Sequence, residues 1–179
     1  MRKSSFLVLL SLVCLIQLNG QQVYTIEPTK SKVEFKIKNA GINVDGSMAG
    51  LSGSIVFSPS ALEKSSIQIQ LTSNSLSTGI AARDAHLKKE EYFNVKAYPT
   101  VQFVSKGFKK TASGFIVTGI LTMRGKSKEV EIPFTFKENP NGAQFEGNVE
   151  INRLDFGIGG SSWVLSDVAK VSFNVWVTK

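Results

Sequence analysis

The densest run of side chains able to do chemistry is Arg83-Asp84-Ala85-His86, which puts a guanidinium, a carboxylate and an imidazole within four residues. His86 is the only histidine in the 179 residues, so any Ser-His-acid relay must pass through it. Neither Gly-x-Ser-x-Gly nor Ser-x-x-Lys occurs. A zinc site would need His86 plus three carboxylates that show no ligand spacing, so no metal and no cofactor are expected. Paired acids for glycoside chemistry would have to come from Asp45, Asp84, Asp155, Asp167 and ten glutamates, and nothing selects a pair. The run Gly119 to Ser127 has five residues between Gly119 and Gly125 where a phosphate loop takes four, and a strand pattern follows where a helix is needed. Gly157-Ile158-Gly159-Gly160 reads as a turn. What remains for Arg83, Asp84 and His86 is binding or bracing. Either Arg83 and Asp84 pair to pin a helix, or Arg83 and His86 meet a polar headgroup whose tail runs into an apolar interior.

The elements that must position these residues are mostly strands. Val33-Glu34-Phe35-Lys36-Ile37-Lys38 alternates apolar and charged side chains, the signature of one buried and one wet face. The same period runs through 67–71, 130–136 and 171–177. With 53–57, 100–105, 115–123 and 144–151 the count reaches eight, and 24–26 forms a short lead-in. Lys106-Gly107 through Ser113-Gly114, Arg124-Gly125-Lys126 and Asn139-Pro140-Asn141-Gly142 supply turns for an antiparallel meander. Pro133 inside a strand pattern points to an edge, a bulge or a barrel rim. Ser77-Thr78 caps a predicted helix over residues 79–91, with Ile80, Asp84 and Leu87 on one face. The resulting fold class is all-β, a closed eight-stranded antiparallel barrel with this helix as its lid.

Residues 1–20 read as a cleavable signal peptide, with Arg2 and Lys3 ahead of the apolar run Phe6 to Ile16; residues 21–179 then form one domain. The expected location is the periplasm. Cys14 is the only cysteine, so the exported chain has no thiol or disulfide chemistry. The formal charge of +7 falls to +5 without Arg2 and Lys3. That mild excess suits transient contact with a membrane surface. The lysines are too dispersed for nucleic acid, which is not an expected partner.

Five segments carry a likeness in order and spacing: Leu76-Ser77-Thr78-Gly79, Arg83-Asp84-Ala85-His86-Leu87, Tyr92-Phe93-Asn94-Val95, Tyr98-Pro99-Thr100-Val101-Gln102-Phe103 and Gly119 to Gly125. With Val44 to Met48, Leu51-Ser52-Gly53 and Arg153 to Ile158, they make the chain similar to the YceI-like family of periplasmic lipid-binding proteins. The resemblance implies a lipocalin-like extended barrel holding a long isoprenoid or related amphiphile, with no catalytic step. It also maps the family's Arg-Asp-x-His-Leu motif onto Arg83, Asp84, His86 and Leu87, and its aromatic pair onto Tyr92-Phe93.

The expected site therefore has a mouth at Arg83, Asp84, His86 and Tyr92. Its apolar tunnel is expected to run along Phe35, Ile37, Phe57, Ile69, Leu87, Phe93, Phe103, Val117, Leu121, Met123, Phe134 and Phe136. The expected function is to hold a polyisoprenoid or fatty-acyl amphiphile for carriage, storage or sequestration, in a monomer or homodimer. Two alternatives come from other classes: an enzyme using His86 or Asp84 on a bound lipid, and a ligand-free envelope stress or interaction module with a filled barrel.

Overall fold

A computed structural model describes residues 22–179; the expected signal segment lies outside the described residues. Ten strands run β1 Val23–Ile26, β2 Lys32–Asn39, β3 Ile42–Met48, β4 Ser52–Val56, β5 Ser66–Thr72, β6 Thr100–Thr111, β7 Gly114–Met123, β8 Lys126–Asn139, β9 Gly142–Asn152 and β10 Val168–Thr178. All neighbours are antiparallel, in the order β1-β4-β5-β6-β7-β8-β9-β10, and β10 pairs back to β1 to close the ring. This is an eight-stranded barrel. The hairpin β2–β3 extends it, because β10 pairs with β1 through Val177 and Thr178 and with β2 from Lys170 to Asn174. In effect β1 and β2 are one long strand broken at 27–31, and β3 and β4 another broken at 49–51.

The strand β3 escaped the sequence pattern. Gly46 interrupts its alternation, and the turn before it is a tight pair, Ala40 and Gly41, both at positive φ. Such a primed turn matches the twist of the strands it joins. Arg124-Gly125 makes the same kind of turn between β7 and β8. Lys106-Gly107, expected to open a turn, is instead a bulge inside β6, and the chain reverses only at residues 112–113. Pro133 stands within the sheet, paired to Ile116 on β7, one residue before pairing with β9 begins at Phe134. Its missing N–H falls where β8 and β9 part.

Helix α1 covers Ala81–Leu87, shorter than the expected 79–91. Ser77 does not cap it. That residue pairs with Ser47 of β3, and the N-cap is Ile80, without a side-chain bond. At the other end the amides of Phe93 and Val95 turn back onto the carbonyls of Leu87 and Lys88 (3.0 and 3.2 Å), so Tyr92 and Phe93 swing toward the barrel and the helix ends despite its helix-forming Lys-Lys-Glu-Glu tail.

One end of the barrel is shut by aromatic rings. Phe57, 1% exposed, sits with its ring centroid 4.9–5.7 Å from those of Phe108, Phe115, Phe134, Phe136 and Phe145. Most of these pairs are edge-to-face or tilted, the geometry that places positive ring edges on negative faces. The outward phase of the strands carries side chains such as Glu34, Lys36, Lys38, Gln68 and Glu131, all exposed.

Candidate ligand-binding site

Above the aromatic plug the lumen is hollow. A cavity of about 450 Å3 runs from Phe134 and Phe145 at the closed end up to α1 and the loop 158–165 at the open end. Its wall is the inward phase of the strands, including Phe35, Ile37, Ile69, Phe103, Val117, Leu121 and Met123. Leu87 and Phe93 reach it from the helix segment. Of the sequence-expected tunnel residues, Phe57 and Phe136 stand apart: both belong to the plug and neither lines the cavity.

The bore is kept open by three glycines set under three rings. A side chain at Gly46, Gly119 or Gly147 would overlap Phe35, Phe103 or Phe173 respectively, so each ring has its glycine where a β-carbon would otherwise stand. All three rings line the cavity. Glycine in a strand is costly unless something approaches it closely, and here the approaching group is an aromatic ring. Gly46 has no positive φ and the atoms nearest to where its β-carbon would stand are all of the Phe35 ring, so Gly46→Ala should lift that ring into the lumen with little effect on folding. Losing room for one or two methylenes should weaken capture of a long-chain lipid by about 4- to 15-fold, measured by equilibrium titration. Unchanged affinity would show that Phe35 does not border the ligand.

At the mouth, Arg83, His86 and Tyr92 all line the cavity, and Asp84 does not. Of the two roles the sequence leaves open, mutual pairing of Arg83 and Asp84 does not occur; both side chains converge on Thr78. Arg83 Nε donates to Thr78 Oγ1 (2.7 Å) and its Nη2 to the Thr78 carbonyl (2.9 Å). Asp84 Oδ1 accepts from the Thr78 amide (2.7 Å) and hydroxyl (2.5 Å), while Oδ2 accepts from Ser77 (3.2 Å). Asp84 thus orders the segment that enters α1, and Thr78 orients Arg83 at the cavity. His86 is exposed, with its ring centroid 5.0 Å from that of Tyr92.

Asp84 gives this segment a pH dependence. The Thr78 hydroxyl, more than any other group, holds its carboxyl below the ordinary carboxylate range. The fold therefore favours the ionised form. Its contribution is complete above the unfolded value near 3.8 and disappears as pH falls through the lower native value. Hydrogen exchange of residues 77–88 is expected to speed up as pH drops from about 4 toward 2, after correction for intrinsic rates, and Asp84→Asn should show the faster exchange already at neutral pH. Equal protection in both proteins would remove Asp84 from this role.

Sequence reasoning missed Arg153 as a site residue. It is 5% exposed and borders the cavity. Its guanidinium donates to the carbonyls of Ile158, Gly160, Leu165 and Ser166 (2.8–3.2 Å) and to Asp167 Oδ1 (3.0 Å). One side chain thereby gathers the loop that forms one side of the mouth. The Gly159 amide ties the same loop to the Glu91 carbonyl (2.8 Å), and Arg124 bonds the carbonyls of Glu90 and Gly157.

A model of the YceI-like domain matches residues 24–177. The chain belongs to the YceI-like family. A UPF0312 protein of Yersinia enterocolitica is 33% identical over 133 residues, 70% of this chain and 69% of the relative. One from Pseudomonas syringae pv. tomato is 35% identical over 136 residues, covering 72% and 71%. Among solved structures, Burkholderia cenocepacia BcnA superposes with a TM-score of 0.79 at 27% identity, over 86% of this chain and 99% of that one. A polyisoprenoid binding domain from Saccharophagus degradans, implicated in plant cell wall breakdown, shares the YceI-like fold at TM-score 0.67 and 15% identity, over 87% and 97% of the two chains. The stretches that carried the resemblance in the sequence are, in this YceI-like barrel, largely the mouth: Thr78, Arg83, Tyr92 and Arg153 all fall in them.

Proposed function

We propose that the protein is an exported lipid-binding barrel of the periplasm that holds a long-chain amphiphile, of polyisoprenoid or fatty-acyl type, for carriage, storage or sequestration. The tail lies along the cavity and the headgroup sits at Arg83, His86 and Tyr92. One observation carries this reading: the lumen is apolar, closed by rings at one end and open at the other beside a cation. At about 450 Å3 it falls within the range of roughly 300–1,000 Å3 common for small-molecule sites. The polyisoprenoid binding ascribed to the Saccharophagus degradans domain supports the class of ligand.

Binding without turnover is the better account of the polar groups. Both Asp84 oxygens are engaged by Thr78 and Ser77, so they do not form an acid–base pair with His86. The mouth can recognise and orient a headgroup, and Arg83 suits a phosphate or carboxylate through its planar donors.

The test is titration of delipidated protein with a fluorescent prenyl lipid, followed by displacement with unlabelled prenyl and acyl lipids. Saturable one-to-one uptake with competition is expected. No saturable uptake of either class would refute the proposal.

A further inference from the structure

The open end carries an unusual set of side chains. Trp163 is fully exposed (105%), Ile42 is 71% exposed, Val164 57% and Ile80 53%; these are four of the five most exposed large apolar residues described, and the fifth, Val23, lies at the closed end. They stand close to the mouth. Ser162 and Val164, on either side of Trp163, line the cavity. The Ala40 amide donates to the Val164 carbonyl (2.7 Å), and Asn39 bridges to Leu165, which fixes this loop against the hairpin whose next strand begins at Ile42. Ile80 stands where the segment bridged to β3 through Ser77 and Ser47 turns into α1.

Trp163, Ile42 and Ile80 belong to neither packed cluster and do not line the cavity, and Val164, which does line it, is still more than half exposed. A tryptophan standing wholly in water adds no packing, and apolar groups gathered around a cavity entrance mark a contact surface. Charge identifies the partner. The open-end segments 38–42, 77–99, 124–126 and 152–168 hold eight lysines and arginines against five acids. Lys38, Lys89 and Lys126, all exposed, make no ion pair among the described residues. Exposed tryptophan with aliphatic side chains, flanked by unpaired lysines, is the composition that settles into the headgroup zone of an anionic bilayer.

We propose that the open end docks on an anionic membrane surface, with Trp163, Ile42, Val164 and Ile80 entering the headgroup layer and Lys38, Lys89 and Lys126 facing its phosphates. This rests on the reading of the cavity as a lipid site, since docking would set the mouth against the phase in which such a lipid dissolves. Ligand could then pass between bilayer and barrel without crossing water.

The test uses the Trp176→Phe protein, in which Trp163 is the one remaining tryptophan. Its emission is recorded with vesicles of phosphatidylcholine alone and of phosphatidylcholine with phosphatidylglycerol, each with and without brominated acyl chains. A blue shift and bromine quenching are expected on the anionic vesicles, with binding about tenfold weaker on neutral ones or in high salt. In the native background, Trp163→Ala with Ile42→Ser should lower co-sedimentation with anionic vesicles about tenfold. The same variant should take up a water-soluble short-chain prenyl probe as the parent does. Intact probe uptake with no Trp163 response to either vesicle would overturn the docking proposal. So would a Trp163 shift that appears with protein concentration in the absence of lipid, which would assign the rim to a second copy. Vesicle docking without probe uptake would instead sustain the docking surface and sink the lipid-site reading.

Discussion

Replacing Arg153 by leucine is expected to destabilise the protein by about 3–5 kcal/mol, read as a fall in the midpoint of urea unfolding at unchanged slope. The magnitude follows from what the guanidinium holds. Its loss leaves the carbonyls of Ile158, Gly160, Leu165 and Ser166 without their donor, and Asp167 without its cation. An abandoned buried acceptor typically costs about 1–3 kcal/mol, and some of these carbonyls will recover water. Arg153→Lys should regain less than half, because one ammonium with three donors cannot span the four carbonyls that the planar fork reaches. Ligand release should also quicken in both variants, since the loop forms one side of the mouth. A loss below about 1 kcal/mol in Arg153→Leu would mean that the loop is held by other contacts.

Leu121→Trp should separate binding from folding most sharply. Leu121 packs against both the plug-side cluster and the mouth-side cluster, so it stands near the middle of the cavity. An indole there would divide the lumen. Excluding about four methylenes of a bound chain, at about 0.8 kcal/mol each, predicts a loss of roughly 3 kcal/mol, or about 200-fold in Kd. The melting temperature should hold or rise, because the ring fills empty space instead of crowding packed atoms. Destabilisation with full lipid affinity would show that this region is solid core and that ligand binds elsewhere.

Much of the barrel was legible in the sequence because period two is a direct consequence of a sheet with one dry face. The alternation at 33–38 and 130–136 gave β2 and part of β8, and the turn residues at 124–126 and 139–142 placed two hairpins where they occur. The strand β3 was missed for a reason that bears on function: Gly46, which broke the pattern, makes room for Phe35. Alternation also tells which side of a strand faces inward and nothing about height along the barrel axis. Phe57 and Phe136, which their phase alone places along the tunnel, stand instead in the plug. Helix propensity overran α1 because it scores Lys88 to Glu91 locally, while the return of Phe93 and Val95 onto Leu87 and Lys88 is a tertiary outcome.

The mouth was half legible. Arg83, His86 and Tyr92, which residue type and resemblance single out, all border the cavity. Asp84, expected at the mouth beside Arg83, does not line the cavity, because both side chains reach back to Thr78. Arg153 could not be singled out from its charge, since burial of an arginine depends on a loop of carbonyls that only the fold assembles. The one sign was its place in Arg153-Leu154-Asp155-Phe156-Gly157.

Whether the barrel holds a lipid is tested most directly by native mass spectrometry of the protein purified without detergent from the cells that make it, with any released species extracted and identified. A defined added mass of lipid size is expected, which organic solvent removes and a prenyl or acyl lipid restores, and which Leu121→Trp lacks. A bare polypeptide mass that no such lipid changes would contradict the lipid-site reading.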